Sequence, residues 1–229
     1  MRMRMTIVLL FVGAFGLLGC NVVSSCNILT TGIYFDYEVT VENGQVTAIA
    51  ALWVGDEPRG TSVELECSDQ ISVNGTVLHR KQGVFVYYEN TVEPADTYEF
   101  TFTREGQDPY VSTVQTPPAL TILTPAEAEE ISRQTEFDIT WEANGAGEWL
   151  DLWITGPCIA DTGDQVPDNG SYTVNAGILE IPEKKQNEPA DECEVAIALV
   201  RTQTGALDAG LNGRIRAFSV GRVNIWSLP

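Results

Sequence analysis

Tyr34-Phe35-Asp36-Tyr37-Glu38-Val39-Thr40-Val41, then Glu42-Asn43-Gly44-Gln45, then Val46-Thr47-Ala48-Ile49-Ala50-Ala51-Leu52-Trp53-Val54, is the stretch that decides the fold. Both flanks are rich in β-branched and aromatic residues, which fit a pleated, half-buried surface. Asn-Gly between two such runs is the strongest short-range signal for a hairpin, because both residues tolerate the positive φ of a type I′ turn. The device recurs in Ile71-Ser72-Val73, Asn74-Gly75 and Thr76-Val77-Leu78. Asn74-Gly75-Thr76 also matches a glycosylation sequon, but its place between two strands assigns it to the turn. Outward from these hairpins, Ser62 to Cys67, Gly83 to Tyr88, Thr97 to Thr103 and Tyr110 to Val114 read as further strands. About seven strands, roughly ten residues apart and without a helical period, predict an antiparallel sandwich over residues 27–116.

Thr116-Pro117-Pro118-Ala119 interrupts this pattern. Consecutive prolines donate no ladder hydrogen bonds and stiffen the chain as an extended spacer. After it the pattern restarts. In Phe137-Asp138-Ile139-Thr140-Trp141 the apolar residues share one face and the polar ones the other. Leu150, Leu152 and Ile154 take the inward parity of the next strand, Asp168 to Val174 starts another, and Cys193-Glu194-Val195-Ala196-Ile197-Ala198-Leu199 is the strongest strand of all. Gly213 to Val220 is its expected hairpin partner. Residues 117–229 are therefore a second sandwich.

The N-terminus has a different chemistry. Arg2 and Arg4 precede an apolar and small-residue run from Thr6 to Leu18, followed by Leu17-Leu18-Gly19-Cys20. A basic start, an apolar stretch and a small residue before the cut define a secretory signal, and the run is too short to span a bilayer. Leu17 to Cys20 resembles the lipobox of bacterial lipoproteins. That resemblance implies removal of residues 1–19, diacylglycerol on the Cys20 thiol, an acylated N-terminal segment over residues 20–26, and a membrane as partner through that lipid. In Gram-negative lipoproteins an Asp after the acylated cysteine favours retention at the inner membrane; Asn21 stands there, which favours the outer membrane.

The second sandwich has a resemblance of its own. An early strand ending in Trp141, a later apolar strand ending Arg201 to Gly205 and a last strand returning across it are similar to a fibronectin type III or immunoglobulin-like domain. The expected fold class is all-β, with two tandem immunoglobulin-like β-sandwiches after a lipoprotein signal peptide. Asp168 to Tyr172 is similar to the run before an immunoglobulin tyrosine corner, in which a buried tyrosine hydroxyl bonds back to the backbone. No cysteine follows Tyr172 at the usual place, and Tyr98, after Pro94-Ala95-Asp96, is an equal candidate for such a corner.

If Cys20 is acylated, Cys26, Cys67, Cys158 and Cys193 remain, an even set suited to an oxidising compartment. Four cysteines permit three pairings. Cys26 with Cys67 and Cys158 with Cys193 closes each sandwich on itself, whereas both alternatives tie one sandwich to the other across Pro117-Pro118.

The charge bounds the partners. The chain has 13 Lys plus Arg against 32 Asp plus Glu. Loss of Arg2 and Arg4 with the signal leaves 11 against 32, a balance of −21. Nucleic acid and anionic head groups, which require clustered cations, are poor partners. His79 is the only histidine and is read as a solvated loop residue, so imidazole-based catalysis has no constellation to use. No catalytic residues are assigned and an enzyme is not expected. No cofactor is assigned either, although Asp161, Asp164 and Asp168 form an acidic, glycine-containing stretch whose oxygens suit Ca²⁺. A calcium-stabilised adhesin-type module and a purely structural envelope spacer are the rival readings.

The sharper signal is Trp149-Leu150-Asp151-Leu152-Trp153. With Leu150 and Leu152 inside, Trp149, Asp151 and Trp153 project together from the other face, the two indoles about 13 Å apart. Flat aromatics with a carboxylate between them suit an envelope glycan or a protein ligand.

Overall fold

A computed structural model describes residues 22–144, 149–179 and 192–229. The signal run and the acylation candidate Cys20 lie outside the described residues. Before the proline break come β1 (Val22–Ser24), β2 (Ile33–Glu42), β3 (Gln45–Val54), β4 (Ser62–Glu64), β5 (Gln70–Val73), β6 (Thr76–Val77), β7 (His79–Gln82), β8 (Val86–Thr91), β9 (Thr97–Thr103) and β10 (Tyr110–Gln115). After it come β11 (Ile122–Thr124), β12 (Glu130–Ser132), β13 (Phe137–Trp141), β14 (Trp149–Thr155), β15 (Thr162–Pro167), β16 (Ser171–Val174), β17 (Cys193–Thr204) and β18 (Asn212–Leu228).

Both Asn-Gly pairs turn as the sequence requires: φ is 51° at Asn43 and 76° at Gly44, and 47° at Asn74 and 82° at Gly75. The positive φ at both central residues is what a type I′ turn needs. The hairpin they close first, β2 with β3, keeps one register from Glu42↔Gln45 to Ile33↔Val54. Phe35, Tyr37, Val39, Ala48, Ala50 and Leu52 therefore face inwards together and are fully buried. They meet Phe100, Phe102, Ile71 and Val73 of the opposing sheet, ordered β10-β9-β5-β6, in one core. Tyr98 is buried and its hydroxyl accepts a hydrogen bond from the Ala95 amide at 3.0 Å, the bond to nearby upstream backbone that a tyrosine corner makes.

The second sandwich faces β11-β13-β16 against β12-β18-β17-β14-β15. With β13 and β16 in one sheet and β14, β17 and β18 in the other, the strands occupy the places of B and E against C, F and G in an immunoglobulin-like domain. The chain is thus all-β with two immunoglobulin-like sandwiches in tandem. Ile139, Trp141, Leu150, Leu152, Ile154, Val195, Ile197 and Leu199 build its core.

Each sandwich carries one disulfide, Cys26–Cys67 and Cys158–Cys193, across 41 and 35 residues of sequence. Arg104 adds a polar clamp beside the first. Its guanidinium donates to Asp69, to the Ser25 and Ile28 carbonyls and to Thr30 Oγ1. β1 pairs with β4 from Val22 onwards, so the chain is tied into the sheet two positions after Cys20.

The sandwiches are not beads on a spacer. β17 and β18 pair continuously from Cys193↔Ser227 to Thr204↔Arg216. β18 then pairs in parallel with β2 of the first sandwich, from Asn212↔Tyr34 to Val220↔Glu42. Along its inner face Ile215 and Ala217 belong to the first core, Val223 and Ile225 to the second. The connection between β17 and β18 is held by the first sandwich too: Thr113 and Ala206 exchange backbone hydrogen bonds of 2.9 and 2.8 Å, and Asp208 Oδ2 accepts from the Val111 amide at 2.9 Å. A division of the chain at Thr116 and Pro117 therefore leaves out the strand half that completes the first sandwich. One sheet runs through both units, so the hinge motion usual between tandem domains is opposed by ladder hydrogen bonds and two cores.

Candidate functional site

The outer face of this shared sheet is where β14 presents its tryptophans. β14 is fixed on both sides, by β15 through Trp149↔Pro167 to Ile154↔Thr162 and by β17 through Asp151↔Val200 to Thr155↔Ala196. Leu150, Leu152 and Ile154 are 0–2% exposed, while Trp149 and Trp153 are 62% and 52% exposed. The parity expected for Trp149, Asp151 and Trp153 is thus the one observed.

Each group has a local reason for its pose. Trp153 stands opposite Gly163, where an added Cβ would lie 2.6 Å from the indole Cζ3, so the glycine lets the ring lie down on the neighbouring strand. Gln165 stands opposite Asp151 and donates from Nε2 to Asp151 Oδ1 at 3.0 Å. Asp151, Trp153, Gly163, Asp164 and Gln165 line an open depression of about 500 Å³. On the far side of β14, Ala196, Ala198 and Val200 of β17 keep the surface low. Trp226, 44% exposed on the same face of β18, adds a third indole that the expected end of that strand at Val220 leaves out. Its signal is the alternation of Val223, Ile225 and Ser227 inwards, which puts Asn224 and Trp226 outside.

The acidic stretch expected to suit a cation is taken apart by the fold. Asp168 points inwards, accepts from Trp141 Nε1 at 2.8 Å and Arg201 Nε at 2.9 Å, and forms an ion pair with Arg201 in which neither side chain is more than 2% exposed. Asp164 lies on β15, accepts from its own Gln165 amide, and receives the Tyr172 hydroxyl at 3.2 Å. Asp161 is exposed. The three do not converge, and among the described residues no group of three or more His, Cys, Asp or Glu is placed to hold a metal ion. Tyr172 correspondingly bonds a side chain and not the backbone, so the corner-like run at Asp168 is a turn into β16. Burial, and then the bond to Asp164, raise the Tyr172 pKa above the ordinary tyrosine value.

His79 is exposed, as expected, but belongs to edge strand β7 and not to a loop. Its lack of apolar alternation hides the strand; pairing with β8 alone supplies it. All four described cysteines are spent in disulfides, so none is a nucleophile. What this face offers chemically is stacking and hydrogen bonding.

No protein-family model matches the chain, and none of the curated proteins matches it significantly. Among solved structures, the crystal structure of DIP-gamma IG1+IG2 is similar at 8% sequence identity, over 88% of this chain and the whole of that chain, with a TM-score of 0.23. A likeness of that size assigns neither ligand nor partner. The residues of the face itself have to supply both.

Proposed function

We propose that the chain is a lipid-anchored, non-enzymatic protein of the bacterial envelope, exported and held at the outer membrane by Cys20, that binds an envelope glycan across Trp149, Asp151 and Trp153. The exposure of two indoles on one face of a doubly paired strand carries this reading. Each indole left in water forgoes a burial that would stabilise the chain by roughly 2 kcal/mol or more, so a face that keeps several is suited to a partner. Sugar rings stack on flat aromatic faces, and the carboxylate and amide of Asp151 and Gln165 between them can orient hydroxyls. The lipobox at Leu17 to Cys20 carries the anchoring half; the described strand pairing begins two residues later, at Val22.

Each half has its own test. Mass spectrometry of mature protein extracted from membranes should find residues 20–229 carrying lipid on Cys20; an unmodified Cys20 would refute the anchor. On a glycan array, Trp149→Ala and Trp153→Ala together should weaken binding about thirtyfold, the effect of losing about 2 kcal/mol at an aromatic hot spot. Stability at Trp149 should change within about 0.5 kcal/mol, as at other solvated sites. Equal glycan binding by the wild type and the double variant would move the ligand off this face.

A further inference from the structure

At the other end of the same sheet face, over the first sandwich, lies a cavity that the tryptophan site does not use. Trp53, Ala51 and Ile49 alternate outwards on β3, and β8 places Tyr87 opposite Ala51 and Glu89 opposite Ile49. Three rings touch in series: Trp53 and Phe85 with centroids 4.8 Å apart, Phe85 and Tyr87 with centroids 5.9 Å apart. With Pro58 they bound a cavity of about 460 Å³. The indole of Trp53 is only 8% exposed, and its Nε1 is buried without a hydrogen-bond partner.

The cavity's rim is acidic, with one carboxylate to spare. β2 places Asp36 and Glu38 along it, and both are engaged: Arg214 donates to Asp36 at 2.8 and 2.7 Å, and Arg216 bonds Glu38. The bond to Asp36 raises the Arg214 pKa above its ordinary value. Glu89 also lines the cavity, and among the described residues no side-chain hydrogen bond or ion pair engages its carboxylate. An unpaired anion beside aromatic walls has a natural complement. A guanidinium is planar, always charged, stacks on aromatic faces and meets a carboxylate through two parallel N–H groups. The chain already stacks its own arginines in this way, Arg216 over Phe218 at 5.2 Å and Arg104 over Phe102 at 5.5 Å.

The geometry points to a second binding site here, in which an arginine side chain of a basic partner protein lies among Trp53, Phe85 and Tyr87 with its guanidinium on Glu89. The net charge of −19 attracts such a partner. This site does not depend on the glycan reading, since it uses different residues on a different sandwich.

The test uses the full chain in detergent micelles with ¹⁵N-labelled indoles, titrated with n-butylguanidinium, the arginine side chain extended by its Cα carbon and without the backbone amides. The Trp53 Nε1–H resonance should shift saturably, and Glu89→Gln should weaken the midpoint about tenfold, as loss of a charge-assisted hydrogen bond does. The neutral isostere n-butylurea should bind at least as weakly to the wild type as n-butylguanidinium does to Glu89→Gln. A Trp53 resonance that does not move, an equal response to n-butylurea, or an undiminished response in Glu89→Gln would each overturn the proposal. The indoles of Trp149 and Trp153 should stay unmoved in the same spectrum, and the glycan array tests their face separately.

Discussion

Replacing Arg201 by Met is expected to lower the stability of the chain by about 3–5 kcal/mol, the cost of leaving a buried charge without its partner. Among the described residues Arg201 is the most deeply placed cation, 1% exposed at an inward position of β17. Its guanidinium reaches Asp168 at 2.7 Å and donates to the Pro118 and Ala119 carbonyls at 2.9 and 3.0 Å and to the Glu142 carbonyl at 3.2 Å. One side chain therefore ties β17, the turn before β16, the end of β13 and the proline segment between the sandwiches. Methionine fills a similar volume but satisfies none of these acceptors. The double variant Arg201→Met, Asp168→Asn should recover a large part of the loss, because a neutral amide keeps an oxygen for Trp141 Nε1 without a stranded charge. Chemical denaturation of the three proteins checks this, and a loss below about 1 kcal/mol in the single variant would mean that water replaces the guanidinium.

Gly213→Ala is expected to cost about as much, roughly 3–5 kcal/mol, through two additive causes. Gly213 has a φ of 136°, a conformation that L side chains rarely adopt. A Cβ there would lie 2.0 Å from the Phe35 carbonyl oxygen and 2.7 Å from its amide nitrogen. These are backbone atoms of β2, paired with Gly213 in register, and cannot swing aside as the end of a flexible side chain could. Relief requires β18 to move off β2, which uncovers Ile215 and Ala217 of the first core.

The Asn-Gly pairs and the alternating runs beside them make the hairpins legible in the residues themselves. β9 and β13 have the boundaries that their alternation predicts, and the disulfides follow from one sandwich per pair. Other elements leave no such trace. β7 is His79-Arg80-Lys81-Gln82, exposed throughout, and is a strand only because β8 offers it a ladder. β15 reads as an acidic loop because Thr162-Gly163-Asp164-Gln165 has no apolar period, yet β14 pairs with it throughout. The partnership of β18 with β2 joins residues 178 positions apart, such as Arg214 and Asp36, and nothing local announces a parallel neighbour at that distance. An expected end of β18 at Val220 also conceals Trp226.

The tryptophan face follows from period-two geometry, because a single strand sets it. The aromatic cavity needs β2, β3, β8 and β18 side by side and so is not legible in any one segment. Asp168 fails as a cation ligand for a related reason: its partner Arg201 lies 33 residues later, on the inner side of a strand where sequence parity expects an apolar residue.

Through β18 the two sandwiches are expected to form one cooperative body, so that ligands on either end are held in a fixed relation. Native-state hydrogen exchange of the wild type and Gly213→Ala, followed by mass spectrometry, tests it. The strain at Gly213 lies within the first sandwich, against β2. In one cooperative body the amides of β2 and β3 and those of β13, β14 and the Cys193-to-Leu199 part of β17 should lose protection by the same free energy. Loss confined to β2 and β3, with the second sandwich as protected as in the wild type, would show two domains that unfold separately.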